Sequence, residues 1–164
     1  MRANNLSTGA VMATVILALL FGASSLPTGR FTLLALTTVA SALTIMRCNV
    51  RTALIQYVAA AVLAFFLLPN KFIALVFALF FGNYAILKLY IERLRNLVVE
   101  WVVKILLFNL YLAVGYGLWK AFFPVLPVGF SVWIAAAVAN LAFIIFDLAL
   151  TYLFPWLGAR LGRR

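Results

Sequence analysis

Apolar residues run along this chain in six long blocks, each bounded by a short polar or proline-containing break. The blocks fall at about 8–26, 31–46, 52–68, 72–90, 97–123 and 129–154. Most are close to the ~20 residues that a helix needs to cross a bilayer core. All five prolines, Pro27, Pro69, Pro124, Pro127 and Pro155, lie at or just outside a block boundary. That placement predicts helices, because proline lacks the N–H that a helix interior requires. The breaks at 27–30 and 124–129 read as turns, and short connections make successive helices antiparallel neighbours. The expected fold is an all-α integral membrane protein, a six-transmembrane-helix bundle forming one domain over 1–164, with no linker or repeat to divide it.

Composition agrees with lipid as the solvent. Hydrophobic residues make up 68% of the chain and charged ones 10%, too few polar groups to cover a water-facing surface. The formal charge of +10 raises nucleic acid as a partner, but the distribution of the cations argues against it. They cluster at block ends, where they orient the chain and meet anionic lipid headgroups. With the N-terminus inside, the cytoplasmic side receives Arg2, Arg47, Arg51, Lys88, Arg93, Arg95, Arg160, Arg163 and Arg164. The outer side receives only Arg30, Lys71 and Lys120. This bias and the even number of spans both place the two termini in the cytoplasm, with anionic lipid at that face. Trp101 and Trp156 fall near the inner interface and Trp119 and Trp133 near the outer one, as aromatic belts require. The expected location is a bacterial plasma membrane. A cleavable signal peptide is the competing account of the first block, through Ala23-Ser24-Ser25, but its apolar core is long and only Arg2 charges the preceding segment.

The few polar residues inside apolar blocks carry most of the information. The fifth block aligns Glu100, Lys104, Tyr111 and Gly115 with Phe108 or Leu107 on one helical face. Glu100 precedes Lys104 by four residues, the favourable order for an ion pair. The sixth aligns Ala136, Asn140, Asp147 and Thr151 with Phe143 or Ile144. At 1.5 Å per residue, Lys104 lies roughly 10 Å from the inner end and Asp147 roughly 12 Å; Asn109 and Asn140 lie at about 18 and 22 Å. Adjacent antiparallel helices would therefore match Glu100, Lys104 and Asp147 as a compensated cluster, with Asn109 and Asn140 bonding above it. Such a ladder either fastens the two helices or forms part of a proton or ion path.

Small residues form a second pattern. Ala10, Thr14, Ala18 and Gly22 recur every four residues in the first block, and Ala74, Ala78 and Gly82 do so in the fourth. Flat stripes of this kind let another helix approach closely. Packing within the protein is the preferred reading for the first, with a partner helix as the alternative. Thr37, Ser41 and Thr44 can bond their own helix carbonyls, whereas Gln56 is expected to face the interior. Lys88, Glu92, Arg93 and Arg95 read as a solvated continuation of the fourth helix. For a ligand entering from outside, Arg30, Tyr111, Tyr116, Trp119, Lys120, Trp133 and Asn140 offer aromatic faces and cations suited to a small, flat, partly anionic molecule.

Enzymatic chemistry has little to draw on. Histidine is absent, Cys48 is the only cysteine and the acids number three. No nucleophile–base pair or metal-ligand cluster is visible, so neither a catalytic role nor a cofactor or metal is expected.

The layout resembles that of the substrate-binding S components of energy-coupling-factor vitamin importers, small bacterial six-helix proteins. Their first helix carries an Ala-x-x-x-Ala motif that engages a transmembrane coupling subunit. Ala10-x-x-x-Thr14-x-x-x-Ala18 is similar to it, with Thr14 departing from the strict pattern. Phe81-Gly82-Asn83-Tyr84, Glu100-Trp101, Lys104 and Phe108-Asn109 also resemble a group of uncharacterised small membrane proteins of Gram-positive bacteria. The first resemblance implies capture of a small molecule from outside for a separate coupling subunit and its ATPases, since no ATP-binding motif is present here. The alternatives are a membrane interaction or scaffold protein, or a small ion-coupled carrier using Glu100, Lys104 and Asp147.

Overall fold

The computed structural model describes residues 3–26, 28–94, 96–122 and 132–161, and among them every regular element is helical. The elements are α1 (Ala3–Ser25), α2 (Arg30–Arg47), α3 (Val50–Leu67), α4 (Lys71–Val76), a π-helical turn (Phe77–Phe81), α5 (Tyr84–Ile91), a 3-10 turn (Glu92–Leu94), α6 (Leu97–Phe122) and α7 (Val132–Leu161). Pro27, Arg95, Pro124, Pro127, Ser131, Arg2, Arg163 and Arg164 lie outside the described residues, as do the side chains of Trp119 and Arg160.

Asparagine starts three of these helices. Asn49 Oδ1 accepts from Thr52 N at 2.8 Å, Asn70 Oδ1 from Phe72 N at 3.1 Å, and Asn96 Oδ1 from Val98 N at 3.1 Å. Each bond satisfies a first-turn N–H that has no helical partner. Before α2, Gly29 takes φ +76°, a left-handed conformation that glycine adopts without steric cost.

Among the described residues, five helical stretches are long and apolar enough to cross a membrane: Asn5–Ser25, Val50–Leu67, Lys71–Leu94, Leu97–Leu118 and Val132–Ala159. The chain is therefore built for a membrane environment. The expected second span is α2, which forms over the predicted range but is not among the five. Its 18 residues include an arginine at each end, Arg30 and Arg47, which leaves too short an apolar stretch between them; Thr37, Thr38, Ser41 and Thr44 within it are buried. The fourth span is also more irregular than one simple helix, running through α4, the π turn and α5. A third difference is Pro155, expected at a boundary but found inside α7. It deprives the Thr151 carbonyl of its usual donor, a loss that membrane helices tolerate when neighbouring groups compensate.

The packing divides into two compact units, Met1–Tyr90 and Ile91–Arg164, with the division inside α5. In the first unit α1 packs on α2 and α3, and the α4–π segment packs on α1, α2 and α3. The core comprises Ile16, Leu20 and Ala23 from α1, Leu34 and Ala40 from α2, Ala60 and Ala64 from α3, and Ile73, Ala74 and Phe77 beside them. Alanines at these positions bring backbones together. At Gly9 a Cβ would come within 2.8 Å of Thr52 Cγ2, so α1 and α3 touch there through glycine. In the second unit α6 packs against α7 and the 3-10 turn. Much of both helices is exposed and apolar, including Leu97, Val98, Leu106, Leu110, Val138 and Ile145. Surfaces of that kind suit lipid.

Candidate functional site

The π turn shows how the first unit handles backbone groups that a wider helix sets free. Gly82 N donates to Phe77 O across five residues at 2.8 Å. Side chains from neighbouring helices satisfy other carbonyls of the segment: Tyr57 Oη donates to Ala78 O at 2.6 Å and Thr38 Oγ1 to Phe81 O at 2.8 Å. The Tyr57 ring also lies against Gly82, where a Cβ would sit 2.5 Å from Tyr57 Cδ2. Thr37 and Thr44 bond carbonyls of their own helix, Leu34 O and Ala40 O.

In the second unit α6 and α7 meet along a seam of matched pairs. Lys104 Nζ donates to Asp147 Oδ2 at 2.7 Å and to Glu100 Oε1 at 2.6 Å. Glu92 Oε1, from the 3-10 turn, lies 3.7 Å from the same ammonium. The ammonium also stands over the Trp101 ring, 5.5 Å from its centroid. One turn further along, Phe108 and Phe143 stack at 4.3 Å with an interplanar angle of 7°. Above them Asn109 and Asn140 exchange amide bonds of 3.0 and 3.1 Å. Each also returns a bond to its own helix, to Ile105 O and Ala136 O.

All three acids of the chain, Glu92, Glu100 and Asp147, thus converge on one buried lysine. Burial differs along the seam. Lys104 and Asp147 are 2% and 1% exposed, whereas Asn109 is exposed. The amide pair can remain at the surface because each amide is already satisfied by the other and by helix carbonyls. The site can bind or relay a charge only by disturbing an ammonium that now holds three carboxylates. Among the described residues no group of His, Cys, Asp or Glu is placed to hold a metal ion.

Glu92 belongs to this cluster, although its sequence position reads as part of a solvated turn. Its place in a 3-10 turn takes it out of the helical register from which the other members of the cluster can be read. Lys88, read as part of the same solvated stretch, is instead wholly buried and engaged in an interaction.

The residues considered for an external ligand make local contacts. Arg30 Nε donates to Leu26 O at 2.8 Å in the first unit. In the second unit Lys120 lies over the Tyr116 ring at 4.8 Å, Tyr111 is half-buried, and Trp133 is 85% exposed. Asn140 is engaged with Asn109. The Trp119 side chain lies outside the described residues.

On α1, Ala10, Thr14 and Ala18 are exposed and Gly22 is half-buried. The inward side is made by Gly9, Ile16, Leu20 and Ala23 instead. The preferred reading, packing within the protein, therefore does not describe three of the four stripe residues. Thr14 Oγ1 bonds Ala10 O at 3.1 Å, which removes its polarity from that face. The stripe of the fourth span behaves differently, with Ala74 and Gly82 buried.

Comparison with known protein families, with curated proteins and with solved structures finds no match.

Proposed function

We propose that this protein is a membrane-embedded capture subunit that works with a separate integral membrane partner docked on the outward side of α1. The observation that carries the reading is the exposed row Ala10, Thr14 and Ala18 on a helix whose other side is committed to the core. Small side chains and a hydroxyl turned onto its own helix leave a flat strip on which a second backbone can approach closely. The resemblance in layout to S components supplies the rest of the proposal. A small molecule enters from outside, and energy comes from the partner and its ATPases. The chain resides in a bacterial plasma membrane with both termini cytoplasmic, a reading supported by the distribution of arginine and lysine.

Isolation of the tagged full-length protein from its native membranes tests this. A polytopic coupling subunit should co-purify, and Ala18→Trp should reduce its recovery severalfold while leaving the protein folded. Unchanged recovery with Ala18→Trp, or isolation without any such subunit, contradicts the proposal.

A scaffold with the same docking strip is the second reading, favoured by the same exposed row. Mass spectrometry of the purified complex separates the two, because only the capture subunit retains a small molecule. The Lys104 cluster acts in either case as the fastening between α6 and α7.

A further inference from the structure

Among the described residues, four buried side-chain atoms lack any hydrogen-bond partner: Ser41 Oγ, Gln56 Oε1, Gln56 Nε2 and Asn83 Oδ1. All belong to the first unit. Ser41 is 1% exposed and Gln56 3%.

Sequence spacing and the contacts of neighbouring residues put the three at a similar level of the first unit. Cys48 and Asn49 separate α2 from α3; Ser41 precedes Cys48 by seven residues and Gln56 follows Asn49 by seven. Both therefore lie about 10 Å from the turn on neighbouring helices. The bond from Thr38 to Phe81 O ties the preceding turn of α2 to the π segment, and Tyr57, next to Gln56, bonds Ala78 O and packs on Gly82, next to Asn83. Asn83 Nδ2 is used by Leu79 O at 3.2 Å, which leaves its oxygen as the free end.

Buried polar groups are nearly always partnered, and an amide with both ends unpaired in an apolar interior is costly. We propose that Ser41, Gln56 and Asn83 together hold an uncharged hydrogen-bonding molecule inside the first unit. The molecule must both donate and accept: the Gln56 nitrogen donates to it, the Gln56 and Asn83 oxygens accept from it, and Ser41 does either. Residues 1–90 contain no Asp or Glu, so a cation would find no counter-charge there. Lys88, the buried cation of this unit among the described residues, already has an interaction. Water is the smallest molecule of this class, and a neutral polyol or amide is the other source of the same chemistry. A π turn beside these three residues fits such a role, since these turns concentrate at functional sites. The site stands independently of any partner on α1.

The test is a structure of the full-length protein in nanodiscs at a resolution that shows ordered water, with native mass spectrometry of the same sample. Density within hydrogen-bond distance of the Gln56 amide and Ser41 Oγ is expected. If no solute mass is retained, that density is water; a retained mass lost on Gln56→Leu identifies a solute. In either case Gln56→Leu should lower the thermal midpoint by several degrees, because displacing the bridge strands Ser41 and Asn83. No density between these residues overturns the proposal. In that case Gln56→Leu should hold or raise the midpoint, since an unpaired amide has been removed.

Discussion

Lys104 Nζ on α6 stands 2.7 Å from Asp147 Oδ2 on α7, and both side chains are almost wholly buried. The pair joins helices whose remaining surface is largely apolar and exposed, so it has a large share in setting their register. Its ammonium is also the meeting point of Glu100 and Glu92. Removing the cation therefore strands more charge than removing any single acid.

Lys104→Met should consequently be the most damaging substitution in the second unit. Breaking a buried pair costs about 3–5 kcal/mol in general, and Lys104→Met should reach that range where Asp147→Asn, which leaves Glu100 in place, falls short of it. Unfolding titrations in bicelles would measure both. The double mutant should lose at least ~1 kcal/mol less than the sum of the singles, as expected of residues in contact.

The amide pair should matter less. Interhelical hydrogen bonds in membranes average ~0.6 kcal/mol, and Asn109 is already exposed. Asn109→Leu and Asn140→Leu are each expected to cost under ~2 kcal/mol. The double mutant should be no worse than the worse single, by the same titration.

How much of this seam was legible follows from spacing. Glu100 and Lys104 are four residues apart, and equal depth from the inner ends put Asp147 and Lys104 at one level and Asn109 and Asn140 at another. Glu92 escaped because it lies in a 3-10 turn, where helical periodicity does not predict which side chains meet. The π turn left no mark, since Phe77–Phe81 reads as ordinary apolar helix; what sustains it is Thr38 and Tyr57, distant in sequence. The direction of α1 was equally hidden. A helix apolar all round carries no signal of which face turns inward, and Gly9 and Ala13 are as small as Ala10 and Thr14. Pro155 shows the limit of boundary reasoning, because a proline near the end of a long membrane helix need not stop it.

Unpairing the π turn gives a sharp prediction for the first unit. Thr38→Val and Tyr57→Phe each leave one carbonyl without its side-chain donor, at about 1–3 kcal/mol. Gly82→Ala adds a methyl against the Tyr57 ring, and overpacking of this sort costs ~1–3 kcal/mol. Thermal unfolding in detergent should rank all three below the wild type, while Gly117→Ala, where a Cβ meets no atom within 4 Å, should not fall.

The proposed orientation is open to labelling. Cys48 lies at the α2–α3 turn and is the sole cysteine. With the termini cytoplasmic, a membrane-impermeant maleimide should modify it only after cells are permeabilised. Thr28→Cys in a Cys48→Ala background should react in intact cells. The reverse pattern would invert the topology.

Cross-linking in native membranes from the outward side of α1 tests the central claim most directly. Thr14→Cys, in a Cys48→Ala background, should form an adduct with a polytopic coupling subunit, while Val58→Cys on the exposed side of α3 should not. Equal labelling from both positions, or an adduct from neither, would contradict a partner seated on α1.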